Sequence, residues 1–161
     1  MKVLAIDPGD KQSAFVVFDN GRVVVKDKVD NEQMMRIIKN PITHIGAYGA
    51  AIDYIAIEMI ASYGMAVGRE VFETCVWIGR FQEASIRPVA KVYRKDIKLH
   101  LCNHPRANDS NIRAALIDRF GGKQKAIGNK KNPGPLYGVA KDMWAALAIA
   151  VYFQDQQKVA A

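Results

Sequence analysis

An unbroken apolar run, Val3 to Ile6, ends abruptly on Asp7-Pro8-Gly9. The run predicts a buried strand over 2–6. The segments SAFVVF (13–18) and RVVVKDKV (22–29) are rich in β-branched and aromatic residues and are joined by Asp19-Asn20-Gly21, a hairpin signal. Asp30 or Asn31 is placed to cap a short helix through Met34, Ile37 and Ile38 that stops before Pro41. DYIAIEMI (53–60) reads as a fourth strand, apolar enough to lie centrally in a sheet. Val67, Val71, Cys75, Ile78 and Phe81 recur at helical spacing within 66–85, and RPVAKVY (87–93) reads as a fifth strand. Helices are expected over 94–102 and from Asp109 or Ser110 to the stop at Gly121-Gly122. A Lys-, Gly-, Asn- and Pro-rich loop (122–138) then leads into a last helix over 139–157, apolar in its middle. The order describes an α/β domain over 1–161, with a mixed sheet whose first three strands are antiparallel and helices on both faces.

Three carboxylates interrupt this pattern. Asp7 ends the first strand, Glu58 sits near the end of the fourth between Ile57 and Met59, and Asp142 falls at the start of the last helix. A carboxylate among apolar neighbours carries a desolvation cost, and three gathered at one sheet edge also repel one another. A divalent cation removes both penalties, and Mg²⁺ and Mn²⁺ prefer oxygen ligands of this kind. Taken singly, Asp7 also suits a turn and Asp142 a helix start. Glu58 in a strand has neither explanation.

Charge narrows the class of partner. The chain has a net charge of +7 over 161 residues. Residues 91–131 hold eleven Lys and Arg but only Asp96, Asp109 and Asp118 as acids, a local balance of +8. A basic segment beside a near-neutral remainder points to a polyanion, most often nucleic acid, or else to a solvated surface. Two dispersed cysteines, Cys75 and Cys102, give no disulfide framework and fit a reducing cytoplasm. No apolar run reaches the length of a membrane span, and the start of the chain has no secretory pattern. His100, Cys102 and His104 match no common zinc spacing, and GNKKNPG (128–134) lacks the P-loop order, so no nucleotide cofactor is expected.

Three stretches carry a resemblance across nearly the whole chain. LAIDPG (4–9), YIAIE (54–58) and DMWAALAIA (142–150) resemble, in order, motifs of the RuvC family of Holliday junction resolvases, in the RNase H-like nuclease superfamily. GPLYGVAKDMWAALAIAV (134–151) is most similar to its phage-type branch. The resemblance implies a five-stranded RNase H-like fold and a homodimer that cuts four-way or other branched DNA. It also implies hydrolysis dependent on two Mg²⁺ or Mn²⁺ ions at Asp7, Glu58 and Asp142, leaving 5′-phosphate and 3′-hydroxyl ends. The apolar stripe of the 66–85 helix offers a seam for the dimer or else faces the sheet.

The chain departs from the family at two positions. Where the family has a further acid or histidine one turn into the last helix, this chain has Ala145; Asp10, Glu70 and Lys141 are the accessory candidates. Where the family has a base-stacking aromatic after its second motif, this chain has Ala61, with Tyr63 two residues further on. Lys95, Lys98, Arg106, Lys123, Lys125, Lys130 and Lys131 are the expected DNA-backbone contacts, Lys98 resembling a family lysine near the site. Ala145 also admits a branched-DNA-binding protein without catalysis, and the fold class admits an enzyme that cuts RNA in RNA–DNA hybrids.

Overall fold

The computed structural model describes residues 1–160; Ala161, the last residue of the expected domain, lies outside them. Five strands form one sheet in the order β3-β2-β1-β4-β5: β1 (Lys2–Asp7), β2 (Gln12–Asp19), β3 (Arg22–Asp30), β4 (Tyr54–Met59) and β5 (Val89–Tyr93). β1–β2 and β2–β3 pair antiparallel, while β1–β4 and β4–β5 pair parallel. This is the expected mixed sheet.

The period-two alternation of the strands divides the core into two layers. On one face Val3, Ala5, Val16 and Ala56 pack with Ile97, Ile112 and Leu147, from α4 (Arg94–Cys102), α5 (Asp109–Arg119) and α7 (Met143–Ala160). On the other, Leu4, Ile6, Phe15 and Ile57 pack with Ile38 and Phe81, from α1 (Asn31–Lys39) and α3 (Arg69–Ala84). Every residue of α7 from Ala146 to Val151 is buried. Ala146, Ala148 and Ala150 keep the helix slim within this buried run, and α7 lies against β1 and β2. No helix of the described residues is long and apolar enough to cross a membrane.

Four local expectations are corrected. Pro41 ends α1 but also begins a second helix, α2 (Pro41–Ile45), followed by a 3-10 turn at Gly46–Gly49, because proline is well placed in a first turn. In α3 the buried residues are Thr74, Ile78 and Phe81, whereas Val67 is exposed and Val71 and Cys75 are half-buried. The Thr74 hydroxyl donates to the Glu70 carbonyl at 2.7 Å, which lets a polar residue turn inward and shifts the stripe. The 122–138 loop contains a short helix, α6 (Lys123–Ala126), and a turn closed by the Gly128–Pro133 bridge. The last helix starts at Met143, four residues late, because Lys141 adopts a left-handed conformation with φ +48°.

The loop between β1 and β2 is pinned from beneath. Asp30 caps α1, accepting from the Gln33 N–H at 2.8 Å, which leaves Asn31 free to turn into the core. Asn31 Nδ2 donates to the Gly9 carbonyl at 2.9 Å, its backbone N–H to the Lys11 carbonyl at 3.0 Å, and its Oδ1 accepts from the Ser13 hydroxyl at 2.7 Å. Gly9 is required here, since a Cβ would stand 2.5 Å from the Gln12 carbonyl oxygen. Asn31→Ala strands a buried hydroxyl and a loop carbonyl, and urea denaturation is expected to show a loss of about 1–3 kcal/mol. A loss below about 0.5 kcal/mol would mean water replaces these bonds.

Candidate active site

Parity and register bring the first two acids together. Asp7 continues the face of Val3 and Ala5, and Glu58 continues that of Tyr54 and Ala56, so both point to the side covered by α7. Parallel pairing sets Ile6 beside Ile57, and Asp7 and Glu58 follow one step later as close neighbours. Asp142 arrives from the opposite direction. Its carbonyl accepts from the N–H groups of Ala145 and Ala146 at 3.0 and 3.2 Å, so it closes the first turn of α7, with its side chain 50% exposed. The strands thus deliver two acids from below and the helix start delivers a third from above.

The electrostatics are those of crowded, partly dried carboxylates. Burial, reinforced by the neighbouring Glu58 and by Asp142, pushes the Asp7 carboxyl up to about 8, against the opposing pull of Arg94. Burial also raises Glu58, with Arg94 pulling the other way. Arg94 Nη1 donates to Glu58 Oε2 at 3.1 Å, and its Nη2 to Asp109 Oδ1. Burial by itself would lower the Arg94 guanidinium, but Glu58 and Asp109 hold it above its ordinary value. Lys28 Nζ pairs with Asp142 Oδ2.

Two clefts open on either side of Asp7 and Asp142. One is lined further by Arg94, Asp109, Lys141, Trp144 and Ala145, the other by Pro8, Gly9, Asp10, Lys11 and Lys28. Ala145 and Lys141 therefore do face the acids, and Asp10 lies on the adjoining wall. Glu70 is not brought to either cleft; with Asp10, Arg69 and Glu73 it lines a separate groove. Among the described residues no three His, Cys, Asp or Glu side chains converge closely enough to cage an ion. The adjacent Asp7 and Glu58 nonetheless fit a hard divalent cation. They are all-oxygen donors, desolvated and mutually repelling, with Asp142 across the cleft as a third arm.

The residues assigned to DNA separate into groups. Tyr63, 62% exposed with φ +48°, stands in the turn between β4 and α3, and Lys95 Nζ lies 6.0 Å from its ring centroid. Lys98 is half-buried along α4. Arg106 is exposed in the α4–α5 connection. Lys123, Lys125, Lys130 and Lys131 are all exposed. Asn129 Oδ1 accepts from the N–H groups of Lys131 and Asn132 at 3.0 and 2.9 Å, so the two neighbouring lysines stand on an ordered turn. His100 is engaged within the protein: its Nε2 lies 2.8 Å from Asp155 Oδ2, which Arg119 also holds, at 2.6 Å. Part of the basic segment's charge is thus spent inside the protein, on Arg94 and Arg119.

Lys28 and Arg94 escaped the sequence reading. The one available signal for Lys28 was parity, since Lys26 and Lys28 alternate with Val25 and Val29 on β3. Arg94 was lost in a segment already dense with cations.

The five-stranded sheet and its helices define an RNase H-like fold. Solved structures that match it over nearly their whole length include two of RuvC. A Thermus thermophilus RuvC structure has a TM-score of 0.69 at 16% identity, covering 99% of this chain and 97% of that one. T. thermophilus RuvC in complex with a Holliday junction substrate has a TM-score of 0.65 at 15% identity, covering 99% and 96%. No protein-family model matches the sequence, and no curated protein matches it. At such identity the likeness is one of fold.

Asp7 gives a stability prediction. In the metal-free fold it keeps its proton to about pH 8, whereas in the unfolded chain it loses it near 4. The folded state binds the extra proton between these values, so Asp7's contribution to stability falls as pH rises through that window. Asp7→Asn, which cannot ionise, is expected to flatten the pH dependence of urea midpoints between pH 5 and 8 in EDTA. Equal slopes for the two proteins would mean that Asp7 is ionised in the fold.

Proposed function

We propose that the chain is a single-domain, metal-dependent endonuclease that hydrolyses phosphodiesters in branched DNA, four-way junctions first, leaving 5′-phosphate and 3′-hydroxyl ends. The observation that carries this reading is the pair of desolvated carboxylates, Asp7 and Glu58, held side by side at the end of a sheet whose fold is that of a resolvase. Asp7, Glu58 and Asp142 would hold Mg²⁺, or Mn²⁺ in its place, two ions per site being the expectation. Bound metal of this kind activates water and stabilises the leaving oxygen. Lys141 stands at the cleft to meet a phosphate.

Tyr63 and Lys95 together offer a ring for an unpaired base beside a cation for its phosphate. The exposed lysines of the 123–131 segment, with Lys98 and Arg106, would track the backbone by charge alone. Assignment to the phage-type branch, and so to the cytoplasm of a bacterial cell or infected host, rests on the 134–151 stretch. A binder without catalysis is the second reading, favoured by Ala145 in the cleft and by the engagement of Asp142 with Lys28.

A homodimer belongs to the same proposal. The outer face of α3 carries Phe72 and Val76, 62% and 58% exposed, with Gly79 open beside them. Arg69 and Glu83 lie at opposite ends of that face, so two antiparallel copies would set unlike charges together. Phe72→Asp is expected to shift the protein from dimer to monomer in light scattering, with Tm changed by only a few degrees. A wild type that is monomeric at high micromolar concentration would refute the seam.

The central test is cleavage of a labelled four-way junction beside linear duplex, fork and RNA–DNA hybrid in Mg²⁺ or Mn²⁺. Paired nicks confined to branched DNA are expected, with at least about a hundredfold loss in Asp7→Asn and Glu58→Gln. Tight junction binding in EDTA with every substrate left intact would select the binder, and cutting of the hybrid alone would select an RNase H-type activity.

A further inference from the structure

Two of the three site acids already hold a cation supplied by the chain. Lys28 Nζ pairs with Asp142, and the Arg94 guanidinium spans Glu58 and Asp109. The sheet register makes the first contact possible. Asp7 pairs with Ala14 on β2, and Ala14 pairs with Lys28 on β3, so the three occupy one row on the face covered by α7. Ala14 is buried and carries only a methyl group, leaving room for the lysine stem above it. Lys28 Nζ has no hydrogen-bond partner besides Asp142 among the described residues. Both cations keep about a third of their side chains in solvent, 34% for Lys28 and 30% for Arg94. They are therefore held without being locked in.

Formal charge shows what this does to an incoming ion. Asp7, Glu58 and Asp142 carry three negative charges when ionised, and Lys28 and Arg94 neutralise two of them. Asp109 and Lys141, which line the same cleft, cancel each other. With Asp7 ionised, a divalent cation thus meets a net charge of −1 instead of −3, and with Asp7 protonated it meets none, with an ammonium and a guanidinium already on oxygens it needs. A dication close to either group is strongly repelled where water is scarce, so metal entry must move them. Arg94 lines one of the two clefts beside Asp7 and Asp142 and Lys28 the other, so each group, once released, stands next to the acids.

We infer that Lys28 and Arg94 are stand-in cations. They occupy Asp142 and Glu58 in the metal-free protein, and they transfer to DNA phosphates when metal takes the carboxylates. Metal and DNA binding are then coupled, each strengthening the other by the same factor, as linkage requires. This rests on the metal-dependent reading above, and it assigns positioning roles to two residues that this reading does not need.

The test is Mn²⁺ binding by calorimetry, with and without a hydrolysis-resistant four-way junction, for wild type, Lys28→Met, Arg94→Met and Asp7→Asn. Methionine keeps an apolar stem and removes the charge. Wild type is expected to bind Mn²⁺ weakly alone and about tenfold more tightly with the junction. Lys28→Met is expected to bind Mn²⁺ about tenfold more tightly than wild type without DNA, and to gain little from the junction. Arg94→Met repeats the comparison at Glu58 should Lys28→Met fold poorly. If the methionine variants bind Mn²⁺ no better than wild type while Asp7→Asn abolishes binding, the stand-in role is overturned and the metal site survives. A lower melting temperature without tighter Mn²⁺ binding also overturns it, leaving a structural ion pair. If wild type takes up no Mn²⁺ with or without DNA, both readings fall.

Discussion

Parallel pairing of β1 with β4 places Asp7 and Glu58 one step beyond Ile6 and Ile57, with no freedom to move apart along the sheet. The rest of the site can be understood as an answer to that constraint. Two carboxylates in contact at a dry edge must share a proton, find a cation or be kept apart. Here Asp7 is pushed towards its protonated form, and Arg94 reaches from the start of α4 to Glu58. The sheet that supplies the rigidity also supplies the strain.

The third acid depends on how α7 begins. Lys141 breaks the chain direction in a left-handed conformation, and Asp142 then closes the first helical turn, so the side chain stands across the cleft from β1. Behind it, the fully buried run from Ala146 to Val151 fixes the helix on the sheet. The loop that follows Asp7 is fixed independently by Asn31, whose amide binds Gly9 and whose oxygen takes the Ser13 hydroxyl. Two separate pieces of buried packing thus hold the two sides of one cleft. Such rigidity suits a site where small displacements are costly.

The cations divide by what they face. Lys95, Lys98, Arg106 and the lysines of 123–131 form no ion pair within the described residues, which leaves their charge available to a polyanion. Arg119 instead fastens α5 to Asp155 on α7, together with His100 from α4. That cluster holds Asp155 below the ordinary carboxylate range despite its partial burial, chiefly through the Arg119 and His100 hydrogen bonds. It belongs to the packing of the helical layer. The basic surface is smaller than the raw charge of the segment suggests, but it is unspent.

What the sequence determined by itself was everything carried by local pattern. Alternation and apolar runs marked five strands, Asp19-Asn20-Gly21 marked the hairpin, and Asp7, Glu58 and Asp142 stood out because a charge interrupts an apolar context. The resemblance of three short motifs to one family added the RNase H-like fold, which the sheet bears out. Tertiary structure alone decided which charges meet. Lys28 lies 114 residues from Asp142, and Arg94 lies 36 from Glu58. Neither contact leaves a periodic trace, because it depends on strand register and on where a helix happens to start. The same holds for Thr74, turned inward by a bond within its own helix, and for Glu70, whose spacing never showed that it faces another groove. Burial repeats along a chain and can be read from it, whereas ion pairing between distant elements is settled only when the elements are packed.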